Sequence, residues 1–178
     1  MRGELVAPDG TRRLQAADHT SGVTVVMTTE VWDGAEDVGA GYTVVHVLIS
    51  NMGNLPVRLA PGDFELIDRR GFRYPLNDMG HSFTVAQPGQ SSVLVSSRYD
   101  EGLDPRFRTG AATRDLSEAA LPWGVLLPGT TMRGFLFFDR MNETANGGTF
   151  RWYASTAAAQ SIANFEFKLA IARPARGR

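Results

Sequence analysis

The chain has 178 residues, 43% hydrophobic and 21% charged, a composition that supports a packed core and excludes a disordered polypeptide. Its formal net charge of −1 offers no basic excess to hold nucleic acid, and its lack of cysteine excludes disulfides, thiolate nucleophiles, zinc ribbons and iron–sulfur ligation. At this length one domain is expected, burying about 70% of the surface that the unfolded chain exposes.

The N-terminal MRGELVAPDGTRRLQ contains no apolar h-region, and no apolar run approaches the roughly 20 residues of a membrane span. TRRL near the start and ARPARGR at the end are basic and read as solvated ends. From residue 22 the pattern has period two. GVTVVMTTEVW (22–32) places Val23, Val25, Met27 and Val31 on one face and Thr24, Thr28 and Glu30 on the other. YTVVHVLIS (42–50) is apolar on both faces, as in a central strand covered on both sides.

NMGNLP (51–56) is a turn-rich connector, and PVRLAP reads as a short strand. DFELID (63–68) and FRYPL (72–76) form a hairpin bent at Arg69–Arg70–Gly71, with Gly71 in the left-handed position of the loop. Asp63 and Glu65 are then expected to face solvent or a strand edge, with Phe64, Leu66 and Phe72 or Tyr74 filling the core. SFTVA (82–86), SSVLVSSRY (91–99), RGFLFFD (133–139), TFRWYAS (149–155) and NFEFKLAIA (164–172) complete the strands. In the last, Phe165, Phe167, Leu169 and Ile171 point inward and Glu166 and Lys168 outward. Pro61-Gly62, Pro88-Gly89 and Pro128-Gly129 read as type II corners between strands. Residues 100–124 form one irregular insertion with a short helix over DLSEAAL, and STAAAQSI (155–162) reads as a second helix-like run. The expected fold is all-β: an antiparallel, immunoglobulin-like β-sandwich of about eight or nine strands. Its core spans 22–172 within a single domain, 1–178.

Few residues point to chemistry. His46 alternates with Val44 and Leu48 and reads as a core histidine, while His19 lies in a polar loop without partners. Asp78, Met79 and His81 in NDMGHS combine carboxylate, thioether and imidazole, a set that suits copper but falls short of a closed site. Asp33, Glu36 and Asp37 in VWDGAEDVGAG form an oxygen-rich loop of the kind calcium favours, without the EF-hand spacing. A solvated polar connector accounts for this loop more simply. No nucleophile elbow, phosphate loop or cofactor motif occurs, so no catalytic residue and no cofactor is assigned. Phe135, Phe137, Phe138, Trp152 and Tyr153 lack the interleaved cations of a base-stacking platform and are read as core. Asn142-Glu143-Thr144 matches a glycosylation sequon, relevant only to a eukaryotic secretory protein.

A strand ending in asparagine (TVVHVLISN) precedes Leu59, Pro61, Asp63, Phe64, Leu66, Asp68, Gly71 and Tyr74 in LAPGDFELIDRRGFRY. Leu127, Pro128, Gly129, Gly134, Leu136 and Phe138 in LLPGTTMRGFLFF follow. This order resembles the immunoglobulin-like sandwich, labelled a domain of unknown function, of bacterial exported proteins and lipoproteins. It also resembles the mycobacterial secreted immunoprotective antigens. The resemblance covers roughly residues 22–172. The stretch from Asp78 to Trp123 is longer than the pattern calls for, and there is no lipobox cysteine, so any membrane anchor would lie upstream of this chain. The resemblance implies a non-enzymatic, extracytoplasmic binding or structural domain of the periplasm or cell envelope, its export signal removed, with a protein as the expected partner. If Met1 is the native start, the expectation is a cytoplasmic protein. The alternative is a small-molecule or metal carrier with a pocket near the 100–124 insertion, and a hydrolase ranks below both.

Overall fold

The structure, a computed structural model, describes residues 4–29, 32, 41–79, 116–142 and 144–172. The period-two runs become strands in two antiparallel sheets that pack face to face, the all-β sandwich expected from the sequence. In chain order the strands are β1 (Glu4–Val6), β2 (Arg13–Asp18), β3 (Val23–Thr29), β4 (Tyr42–Asn51), β5 (Val57–Leu59), β6 (Phe64–Asp68), β7 (Arg73–Tyr74) and β8 (Leu76–Asn77). A single turn of helix, α1 (Leu116–Ala119), precedes β9 (Gly124–Leu126), β10 (Thr130–Asp139), β11 (Gly148–Thr156) and β12 (Ser161–Ala172). One sheet has five strands in the order β2-β3-β4-β10-β8. The other has seven, β1-β12-β11-β5-β9, with β6 also paired to β11 and β7 to β6.

The register explains the core. Val25, Ile49 and Met132 stand in one row across β3, β4 and β10, and Met27, Val47 and Gly134 in the next. From the facing sheet come Leu66, Phe150 and Phe167, again one row. Phe64 and Phe165 stack on opposite sides of the fully buried Trp152, with ring centroids 5.8 and 5.2 Å away. Rows of this kind form because antiparallel pairing sets same-face residues opposite one another.

The connections between sheets are where polar chemistry is needed. Asn51 ends β4 with its side chain fully buried. Its Nδ2 donates to the carbonyls of Leu55 (2.9 Å) and Leu126 (3.0 Å), and its Oδ1 accepts from the Gly53 N–H (3.1 Å). The backbone carbonyl of the same residue accepts from the Gly129 N–H at 2.7 Å. One side chain thus fixes the crossover from β4 to β5 and binds it to β9 in the opposite sheet. The Pro128-Gly129 corner is the type II turn expected, with Gly129 at φ 77° and the Thr130 N–H donating to the Leu127 carbonyl.

Several expectations change. Pro61-Gly62 is a turn of 3-10 helix, Pro61–Asp63, so β5 and β6 lie end to end against β11, not across a type II corner. STAAAQSI is the β11–β12 hairpin link: the Thr156 N–H donates to the Gln160 carbonyl at 2.8 Å, and Ala159 takes φ 60°. Alanine's helix propensity is a weak prior that a run this short cannot turn into a stable nucleus. TRRL is no loose end, because Arg13 and Leu14 open β2 and Leu14 packs against the core. β1 and β9 also went unread, each too short to show alternation. The expected strands at 82–86 and 91–99, and residues 100–115 of the insertion, lie outside the described residues.

Two substitutions test this frame by urea unfolding. Asn51→Ala takes this partner from the buried Leu126 carbonyl and from the part-buried Leu55 carbonyl and Gly53 N–H, and should destabilise the fold by on the order of 2 kcal/mol. Gly71 sits at φ 87° with open space around its missing side chain, so Gly71→Val should cost about 1–2 kcal/mol through backbone strain alone. An Asn51→Ala loss within experimental error of zero would show that the two sheets do not depend on this amide.

Candidate functional site

The acid-rich stretch 63–74 is structural. Asp63 is buried, contrary to the expected solvent-facing position, because the 3-10 turn swings it back onto β5. There the Arg58 guanidinium grips it in a fork, Nη2 to Oδ1 at 2.6 Å and Nε to Oδ2 at 3.3 Å. Asp68 caps the hairpin bend. Its Oδ1 accepts from the N–H groups of Arg70 (2.8 Å) and Phe72 (2.9 Å), and its Oδ2 from the Tyr74 hydroxyl (3.3 Å). The same hydroxyl accepts from the Asn142 N–H at 3.2 Å, which joins the hairpin to the segment after β10. Burial raises the Asp68 pKa. The two N–H donors, the Arg70 charge and the Tyr74 hydroxyl together outweigh it and hold the carboxyl below its ordinary value. Tyr74 fills the core as expected. Phe72 does not, being 61% exposed and edge-on to Tyr74.

The outer face of the seven-stranded sheet carries a charged ladder. Glu65 pairs with Arg73 and accepts from the Tyr153 hydroxyl (2.9 Å). Glu166 pairs with Arg151 (2.8 Å) and Lys168 (2.5 Å). The Lys168 bond first, then the Arg151 bond, lowers the Glu166 pKa. A glycosidase-type pair needs one carboxyl held protonated beside one ionised. Asp68 and Glu166 are both held ionised.

The outer face of the five-stranded sheet holds something the sequence did not lead us to expect. In β10, Leu136 and Phe138 enter the main core, but Phe135 and Phe137 point the other way and nucleate a second apolar cluster. Trp32 sits edge-on to both rings (5.2 and 5.5 Å), and Tyr42 (6.2 Å from Phe137) and His46 (5.1 Å from Phe135) meet them from β4. Val44, Met79, Leu116, Ala119 and Ala120 complete the cluster. The segment after α1 runs close along β10: the Leu121 N–H donates to the Phe135 carbonyl, and on the core-facing side a Cβ at Gly134 would lie 2.5 Å from the Leu121 backbone. The signal was present in the two apolar faces of YTVVHVLIS and in the alternation of GFLFF. Missing was any clue to what covers the second face.

Of the residues proposed as metal ligands, Asp78 accepts from the Trp123 indole N–H at 2.5 Å, and Met79 packs into the second cluster. Both have local structural partners. His81, Asp33, Glu36 and Asp37 lie outside the described residues. Among the described residues no three acidic or histidine side chains gather as a metal site would require. His46 is buried as expected, and His19 is exposed in a turn.

Trp32 and Tyr42 bracket residues 33–40 closely, and Met79 and Leu116 bracket residues 80–115. All four bracketing side chains meet the Phe135–Phe137 cluster. Both stretches are therefore rooted on one rigid platform. No family model matches the chain, and no curated protein matches it. Among solved structures, the Bacillus subtilis protein ycdA, provisionally assigned as a lipoprotein, shows a loose likeness. It is 12% identical with a TM-score of 0.36, over 94% of this chain and 34% of that one. The chain spans about a third of that protein's length. No helix among the described residues is long and apolar enough to cross a membrane.

His46 gives the site a pH signature. Burial first, then the Arg133 and Arg13 charges, pushes its pKa from 6.5 down to about 4. Above pH 6.5 the imidazole is neutral in both states. Between pH 6.5 and 4 the unfolded chain takes up a proton that the folded chain refuses, so stability falls through that window, by on the order of 3 kcal/mol in full. In His46→Leu this part of the pH dependence should vanish, as followed by urea unfolding across the same window. An unchanged slope would show that His46 is not the group responsible.

Proposed function

We propose that this protein is a non-enzymatic, extracytoplasmic, immunoglobulin-like domain that binds a protein partner at the bacterial cell envelope. The observation that carries the reading is the shared root of residues 33–40 and 80–115 on the Phe135–Phe137 cluster. A rigid sheet whose connecting segments share one anchor is the usual arrangement of a binding scaffold, since loops vary while the sheet holds their ends. The motif resemblance supports the same reading. Asp63 serves the β5–β6 turn, and Asp68, Gly71 and Tyr74 the hairpin, as they would in a family defined by its fold and not by a shared reaction. The proposed surface is the outer side of the five-stranded sheet, around Gln15, Leu48 and Thr131.

Site-specific photo-cross-linking in producing cells tests it. A benzophenone side chain at Gln15 or Leu48 should yield an adduct with one defined envelope protein, while one at Thr149, on the opposite sheet, should not. The absence of any adduct from the first two positions, or recovery of the protein only from the cytosol, would overturn the reading. Stoichiometric metal in the purified protein would favour a carrier instead.

A further inference from the structure

The buried carboxylates of this fold sit among groups that favour their charge. Arg58 grips Asp63, and backbone N–H groups hold Asp68. The buried imidazole of His46 has the opposite surroundings. It stands beside Thr28 of β3 and Phe135 of β10. Arg133 lies two residues along the same face of β10, beside Leu48, and Arg13 lies on β2 beside Thr28. Asp139, further along that face of β10, is exposed and accepts from the Asn77 amide at 2.9 Å. The described residues packed on the outer cluster from other segments, Trp32, Met79, Leu116, Ala119 and Ala120, are all apolar. The charges that the imidazole feels, those of Arg133 and Arg13, are both positive.

The layer over this face is separate from the core between the sheets. Leu136 and Phe138 belong to that core, while Phe135 and Phe137 belong to the outer cluster. Phe135 lies edge-on to His46 at 5.1 Å and to Trp32 at 5.2 Å, and Trp32 also meets Phe137 at 5.5 Å. The same ring therefore touches both the imidazole and the half-buried indole above it. Lifting Trp32 would uncover Phe135, Phe137 and the imidazole beside them without breaking any row between the sheets. A charged imidazole needs water. Local opening of a small cluster admits it at the loss of far fewer contacts than global unfolding.

We propose that protonation of His46 lifts Trp32 from Phe135 and Phe137, so that acid opens an aromatic surface on the outer face of the five-stranded sheet while the core between the sheets stays packed. The sign follows from linkage. In the closed form the imidazole titrates at about 4, and in the opened, wetted form it returns to its ordinary 6.5. Above pH 6.5 it is neutral in both forms, and opening does not respond to pH. Below pH 6.5 the open form takes up the proton that the closed form refuses. The ratio of open to closed then rises as the pH falls, roughly thirtyfold by pH 5 and roughly 150-fold by pH 4. This switch belongs to the isolated chain and does not depend on the partner binding proposed above.

Fluorine NMR of the chain labelled with 5-fluorotryptophan tests it. The three tryptophans should give three signals, and Trp32→Phe assigns one of them. In the wild type, the population of released Trp32, read by saturation transfer, should rise roughly thirtyfold from pH 7 to pH 5. The Trp123 and Trp152 signals should keep their positions, because both rings lie in the main core. In His46→Leu the rise should vanish. If that variant does not fold, His46→Gln, equally unable to take up a proton, should lose the rise in its place. A wild-type chain with no released Trp32 down to pH 4, a rise that persists in the neutral variants, or a transition that moves all three signals together would overturn the proposal.

Discussion

The buried carboxamide of Asn51 ties the two sheets to each other. Hydrophobic rows hold the sheets face to face, but apolar contact is non-directional and tolerates sliding. The Asn51 amide does not tolerate it. Its two N–H bonds reach the carbonyl of Leu55 in the crossover and that of Leu126 in β9, and its oxygen takes the Gly53 N–H. A slip of β4 by one residue would turn this side chain to the outer face and strand those groups. The register of β4 in turn sets those of β3 and β10, and with them which β10 aromatics enter the core.

Much of this was legible in the sequence because the strands that pack on the main core alternate cleanly. Val23, Val25 and Met27, and Phe165, Phe167 and Leu169, occupy the faces that period two assigns. The hairpin at Gly71 was legible because only a residue free to take positive φ suits that bend. What escaped had weak or competing local signals. β1 and β9 are too short to show a period. The alanines of 157–159 favour helix locally, and hairpin closure overrides them. Asp63 misled because its burial depends on Arg58, five residues away across a turn, and period-two reasoning sees no such partner. For the candidate site, the sequence identified acids and histidines, while the organising residues are aromatics whose role depends on which side of β10 they face.

The two outer faces of the sandwich solve different problems. On the seven-stranded sheet the outward residues are charged and pair across strands, Arg73 with Glu65 and Arg151 with Glu166, so water is a good solvent for that face. On the five-stranded sheet β4 and β10 are apolar outward as well as inward, and water is not. The chain answers with Trp32, Met79 and α1, which bury Phe135 and Phe137 almost as completely as the core proper. That second layer explains how His46 is desolvated on a face that would otherwise be wet. A histidine there adds little packing over leucine and brings a large acid sensitivity, so its environment reports whether the cover is in place.

The cover also bears on how the sandwich is closed at its sides. One side of the five-stranded sheet ends in β8, two residues long, and the Ala120–Phe135 bridge continues the contact along β10. That side is shielded by the segment leading into β9. The opposite side has no such shield among the described residues. There β1 spans three residues before the chain crosses to β2, and among the described residues nothing else pairs with that side of β12. Beneath that edge Ile162 and Leu14 are only half covered. The asymmetry between the two sides follows from chain connectivity, because the Pro8–Gly10 turn moves the strand to the other sheet before it can run the length of β12.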